Sequence, residues 1–259
     1  MRQSCHSLVV KTLSQVKTRA QRSAAVVGTI LLAGALLAGC MYRTGFNEYP
    51  GVRSATWFSY ASAQDIRTRC APGGRDIYRV IYNANWQEQV RTYDLGPSAT
   101  GAGGVIDERV FAGGQGLTFS IPTTLALTDP LEPARAVDAQ TRLTEAEYRA
   151  LIAALAADGL GQPGPADARL ESYQFWWAAA ACVNGSFVYN AWIYPTPRFA
   201  ALRFPAVLLR HDQTGVPVNA PRRTEPQTFN RADTGREPFH SDFTIQLDGS
   251  GQPIRLLGF

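Results

Sequence analysis

The sequence predicts an α+β fold: a mostly antiparallel β-sheet built of hairpins, with one principal α-helix packed on it. Three stretches carry this expectation. Tyr173 to Tyr194 holds two apolar runs on either side of Asn184-Gly185, the strongest short hairpin signal. Ile77-Tyr78-Arg79-Val80-Ile81-Tyr82 is dense in β-branched and aromatic residues, which suit a pleated, half-buried surface. Leu143 to Gly159 carries the one clear helical pattern.

Taken in order, Ser62 to Arg69 reads as one or two helical turns with Ser62 as N-cap. The aromatic patch Trp57, Phe58 and Tyr60 ahead of it is expected to dock on the domain. Ile77–Tyr82 is the first strand, Asn83-Ala84-Asn85 its turn, and Trp86 to Leu95 the return. The return strand alternates. Trp86, Glu88, Val90 and Thr92 share one side, and Gln87, Gln89, Arg91 and Tyr93 the other, so one face is partly polar. Val105 to Ala112 and Leu117 to Ile121 are further strand candidates.

Thr144 and Glu147 have the spacing of a capping box, with Leu143 and Tyr148 as a hydrophobic staple. Tyr148, Leu151, Ile152 and Leu155 form an apolar stripe at i, i+3, i+4 and i+7. Gly159 is the expected stop. A two-residue loop at Asn184-Gly185 would place Trp177 opposite Trp192, Trp176 opposite Ile193, and Cys182 opposite Phe187. Because both runs are apolar on both faces, this hairpin is expected to be central and covered on both sides. Phe199 to Arg210 reads as a strand interrupted by Pro205. The segment 211–240 reads as a long irregular loop, and Phe243–Leu247 with Ile254–Leu257 as a terminal hairpin. The whole sheet is expected to hold roughly six to nine strands.

The first 40 residues follow different rules. Arg2, Lys11, Lys17, Arg19 and Arg22 precede an apolar run, Ala24 to Ala38, that ends in Leu36-Leu37-Ala38-Gly39-Cys40. A basic start, an apolar middle and small residues before a processing point make a secretory signal. The run is about 15 residues, short of the about 20 that a spanning helix needs. Leu37-Ala38-Gly39-Cys40 resembles the lipobox of bacterial lipoproteins. The resemblance implies cleavage before Cys40, lipid on its sulfur, and acylation of the new amine. It implies a lipid anchor in the bacterial envelope. Met41 in place of Asp points, by the enterobacterial sorting rule, to the periplasmic face of the outer membrane, with the inner membrane as the alternative. The organisation expected is a cleaved leader at 1–39, a lipidated tether at 40–52 and one globular domain at 53–259.

Processing changes the charge and cysteine arguments. The leader holds five of the 25 basic residues and none of the 21 acidic ones. The remainder is nearly neutral, at 20 against 21, so the chain's basic pI gives no support for nucleic acid as a partner. Both lysines lie in the leader, which removes lysine nucleophile and Schiff-base chemistry. Cys5 falls in the leader and Cys40 is the expected anchor, leaving Cys70 and Cys182. In an oxidising compartment these two most simply form one disulfide; two free thiols or a metal pair are the alternatives.

Candidate sites are few. No GxSxG elbow, phosphate loop, HExxH or paired CxxC occurs, so no catalytic residue and no cofactor is assigned. Trp86, Tyr93, Trp176, Trp177, Tyr189 and Trp192 could line a cavity for an apolar or sugar-like ligand, or simply pack a core. His211-Asp212 and His240-Ser241-Asp242 bracket the long loop and could offer imidazoles and carboxylates to a metal or to a hydrolase. Three functions follow as expectations. The first is a non-enzymatic structural or protein-interaction role, with membrane lipid and envelope proteins as partners. The second is a periplasmic ligand-binding module, and the third a hydrolase using His211 or His240.

Overall fold

A computed structural model of the chain describes residues 50–99, 101–111, 136–225 and 242–258. The leader, Cys40, the strand expected at Leu117–Ile121 and His240 lie outside the described residues. The described chain is mainly antiparallel β-sheet with short helices, an α+β fold. Among the described residues, nine strands form two sheets. The larger has six strands in the order β4-β3-β2-β1-β6-β7, and the smaller has three in the order β5-β8-β9.

In chain order the elements are α1 (Pro50–Ala61), α2 (Gln64–Arg69), β1 (Ile77–Ala84), β2 (Gln89–Pro97), β3 (Gly104–Phe111) and β4 (Val137–Leu143). Then follow α3 (Glu145–Ala157), β5 (Arg169–Glu171), β6 (Phe175–Val183) and β7 (Ser186–Ile193). The chain continues through α4 (Pro197–Ala200), α5 (Phe204–Leu209), β8 (Phe243–Leu247) and β9 (Pro253–Gly258).

Side chains alternate across the large sheet and build two separate cores. On one face, here called A, Ile81, Val90, Phe111, Trp176, Ala178 and Ala180 meet α1, α2 and the small sheet. Trp57 of α1 is the hub, with ring centroids 4.9 Å from Trp86 and 5.7 Å from Phe111. Thr56 to Ala61 are all buried, so this turn of helix is covered all round rather than along one stripe. On face B, Val80, Tyr82, Tyr93, Trp177 and Trp192 meet Leu151 and Leu155 of α3 and Phe204 and Leu208 of α5. Tyr82 stacks on Trp177 at 4.4 Å.

The β6–β7 hairpin pairs Trp177 with Trp192, Trp176 with Ile193 and Cys182 with Phe187. Asn184 and Gly185 both take positive φ, 50° and 76°, as a two-residue hairpin turn with matching twist demands. β6 is an interior strand, buried on both faces. β7, however, is the sheet's edge, so the hairpin is not central as a unit. Helix α3 has its capping box: Thr144 accepts from the Glu147 amide, and Glu147 accepts from the Thr144 amide at 2.8 Å. Gly104 lets this helix approach the sheet. A Cβ there would lie 2.2 Å from the Tyr148 ring.

Three local expectations are corrected. Phe199 to Arg210 is not a strand: it holds the end of one short helix, α4, and the whole of another, α5, each with proline in its first turn. Proline there gives up an amide the helix would not have used. Ser62 does not cap α2. Ala63 stands at that position with φ 53°, and the Ser62 hydroxyl donates to the Phe58 carbonyl at 2.6 Å. The first hairpin turns at residues 85–88, and β2 begins at Gln89, because Trp86 is drawn into the core of face A.

Face A also holds a buried charge network. Arg79, on β1, donates to Asp65 of α2 at 2.7 and 3.0 Å and to Asp94 of β2 at 2.6 Å. Its guanidinium lies 3.7 Å from the Tyr60 ring centroid. Cys70 and Cys182 form a disulfide, with Cα atoms 5.4 Å apart and 112 positions of sequence between them. It fastens the end of α2 to β6 near the tip of the hairpin.

Candidate functional site

The least expected feature lies on face B. Residues 211–225 follow α5 and cross the end of the β1–β2 hairpin as an irregular strap. None of these 15 residues is fully buried. The strap's central part is held by polar side chains of the sheet, and five of them, Tyr82, Gln89, Arg91, Tyr93 and Glu108, are themselves buried.

Arg91 on β2 is the centre. Its side chain has 0% exposure. One guanidinium nitrogen donates to Asp212 Oδ2 at 2.5 Å, another to the Val216 carbonyl, and Nε to Gln89 Oε1 at 3.1 Å. The Tyr93 hydroxyl donates to the same Asp212 oxygen at 2.6 Å. Asp212 Oδ1 accepts from the Thr214 amide at 2.9 Å and from the Thr214 hydroxyl at 2.5 Å, a local turn that fixes the carboxylate. Burial alone would raise the Asp212 carboxyl. The bonds from Thr214 and Tyr93, together with the Arg91 charge, outweigh it and hold the group below the ordinary aspartate range. Burial, with the Asp212 bond and charge behind it, pushes the Tyr93 hydroxyl up.

The remaining bonds read the strap's backbone. Gln89 donates to the Pro217 carbonyl at 2.8 Å and accepts from the Asn219 amide at 3.1 Å. Tyr82 donates to the Asn219 carbonyl at 2.8 Å. Glu108 on β3 accepts from the Gln213 amide at 2.7 Å. Thr141 on β4 donates to the His211 carbonyl at 3.0 Å. Beyond the strap's centre, Arg222 pairs with Glu88, and Thr224 donates to the Tyr173 carbonyl at 2.6 Å.

Glu108 differs from its neighbours. It is 1% exposed, and burial pushes its carboxyl up. Its second oxygen, Oε1, has no hydrogen-bond partner among the described residues. Thr141 lies beside it, but that hydroxyl's proton is committed to the His211 carbonyl.

The residues singled out from sequence fall as follows. Trp86, Trp176 and Tyr189 belong to the core of face A, and Tyr93, Trp177 and Trp192 to that of face B. All six are at most 3% exposed. They pack two cores and do not line one cavity. His211 is the strap's first residue, its amide bonded to the Leu208 carbonyl of α5, and Asp212 is committed to Arg91, Tyr93 and Thr214. Asp242 Oδ1 accepts from Ser172 Oγ at 3.2 Å. The Ser172 carbonyl accepts from Asn83, whose side chain lies on face A. Asp212 and Asp242 are therefore on opposite faces of the sheet. Among the described residues, no group of three or more His, Cys, Asp or Glu side chains could hold a metal ion.

Sequence reading missed Gln89, Arg91 and Glu108. The available signal was Arg91 between Val90 and Tyr93 in an aromatic-rich strand. A charge there needs a buried partner, but nothing local says that the partner lies 121 positions on. The chain matches no protein-family model, no curated protein and no solved structure.

Proposed function

We propose that this chain is a lipid-anchored bacterial envelope protein that works through contacts with other proteins and not through catalysis. The observation that carries this reading is Leu37-Ala38-Gly39-Cys40 at the end of an apolar run, a short distance before α1 begins at Pro50. Nine residues separate Cys40 from Pro50, a reach of at most ~35 Å. Such a tether would hold the domain against the membrane that carries the lipid, within reach of neighbouring envelope proteins. By the Met41 argument that membrane is the outer one, with the domain on its periplasmic face. Cys40 would supply the membrane partner through its acyl chains.

Labelled palmitate fed to cells tests the anchor. Label should enter the wild type and be absent from Cys40→Ser, which should also stay unprocessed and leave the lipid fraction. A Cys40→Ser chain that is still cleaved and membrane-bound would overturn the anchor. Crosslinking in intact envelopes tests the interaction role. It should trap the domain with specific envelope proteins, and the same crosslinks should vanish when the anchor is removed.

A further inference from the structure

The strap's seat has the features of a peptide site that the chain fills with its own residues. Six of the sheet's contacts go to backbone atoms: the carbonyls of His211, Val216, Pro217 and Asn219, and the amides of Gln213 and Asn219. Backbone reading tolerates many sequences and is how sheets and grooves take up extended peptides. One contact is chemically selective. The Asp212 carboxylate enters a pocket made by the Arg91 guanidinium and the Tyr93 hydroxyl, a charge-assisted pair of the kind that fixes register.

Two further observations separate this seat from an ordinary loop contact. The strap contributes no fully buried residue, so little apolar burial holds it down, and such segments open at low free-energy cost. The groups beneath it are polar and can be rehydrated. And the seat has an unused acceptor, Glu108 Oε1, buried beside the strap with no partner among the described residues. Buried polar atoms are ordinarily satisfied; one left over points to a donor that the resident strap does not supply.

We propose that the seat formed by Tyr82, Gln89, Arg91, Tyr93 and Glu108 binds an aspartate-bearing peptide segment of a partner protein, with the chain's own strap as resident occupant. The occupant follows from charge complementarity and the bonds to backbone: one buried guanidinium takes one carboxylate, and after a turn at Asp212–Thr214 and Gly215 at φ 70° the backbone is bonded by Gln89 and Tyr82. The strap competes in cis, so the partner's apparent affinity falls by the fraction of chains whose seat is open. This deepens the interaction role proposed above by naming the partner's chemistry. A chain that is anchored and crosslinks to envelope proteins, yet ignores the peptide, would lose this inference and keep that reading.

The probe is a fluorescent peptide copying residues 210–220, added to the full chain in detergent micelles. Asp212→Ala weakens the strap; Thr214→Val, which loosens the same turn but keeps the Arg91 counter-ion, is the second variant. Hydrogen exchange of the strap amides should speed up at least tenfold in either variant. Peptide affinity, read by anisotropy, should rise at least tenfold over wild type. Replacing the peptide's own aspartate by asparagine, or adding Gln89→Leu to the protein, should remove that gain. The proposal is overturned if the strap opens and the peptide does not bind, if a scrambled peptide binds as well, or if the strap amides exchange only with global unfolding. Concentration-dependent dimerisation of the weakened variants without peptide would make a second copy's strap the occupant and overturn the partner named here.

Discussion

Arg79 and Arg91 are both buried arginines on adjacent strands of one sheet, yet they hold very different things. Arg79 faces the side where its partners, Asp65 and Asp94, belong to a helix and a strand. That helix ends in a disulfide to β6, and the preceding helix places Trp57 among four aromatic rings. Arg91 faces the other side, where Asp212 belongs to a strap with no buried residue of its own. The same kind of ion pair is one fastening among several in one place and the main fastening in the other. What a buried salt bridge does depends on what else holds the partner down.

The largest expected effect breaks the firmly held side. Cys182→Ser removes a crosslink that spans 112 positions, worth about 4–5 kcal/mol in the chain-entropy model. Urea unfolding should show this loss in the oxidised protein and almost none when wild type and variant are compared under reductant. Arg79→Met is next. It removes the buried cation shared by Asp65 and Asp94, leaving each with only a more exposed arginine, Arg69 or Arg109, and breaking a buried pair costs up to about 3–5 kcal/mol. The loss should appear as one cooperative shift of the whole unfolding curve. Asp212→Asn should move that curve far less while exposing residues 213–219 to protease.

That contrast was only partly legible in the sequence. The β6–β7 register was readable because Asn184-Gly185 needs positive φ at both positions and the flanking runs leave one pairing. The capping box of α3 was readable because its four residues are neighbours. Helix α1 was missed although Trp57, Tyr60 and Ala61 have helical spacing, because three aromatics in four residues masked the period. α5 was read as a strand from its aliphatic run, when Pro205 marked a first helical turn. β4 was missed because, at the sheet edge, it buries only Leu143 fully. The polar side of β2 was legible as polar but not as buried. What covers Gln89 and Arg91 is a strap more than 120 positions later, a contact that no local pattern encodes.

Thr144→Ala probes the part of face B that a helix covers. α3 buries Leu151 and Leu155 on that face, so losing its cap should cost about 1 kcal/mol of global stability. Face B is thus firm where a helix packs and loose only under the strap.

Acid gives the smallest and most diagnostic difference. Burial opposes ionisation of Asp65 and Asp212, but Arg79 on one side, and Thr214, Tyr93 and Arg91 on the other, hold both below the ordinary aspartate range. A carboxylate lowered in the fold contributes stability that is complete above its unfolded value, about 4, and is lost as pH falls through its folded one. Glu108, facing Asp212 and Arg91, is shifted the other way. It favours the fold as it protonates, and so offsets part of the loss beside the strap. Unfolding at pH 7 and pH 3 should show the acid loss shrink in Asp65→Asn and in Asp212→Asn. Glu108→Gln should make the loss larger.

Native-state hydrogen exchange tests the difference between the two sides most directly. The Gln213 and Asn219 amides bond to Glu108 and Gln89 of the seat. They should exchange through a local opening whose rate does not change in low denaturant. Amides of β1 and β6 should exchange only as denaturant approaches the global transition. Strap and strand amides that merge on one denaturant-dependent line would contradict the account, because the strap would then be as firmly part of the fold as the sheet beneath it.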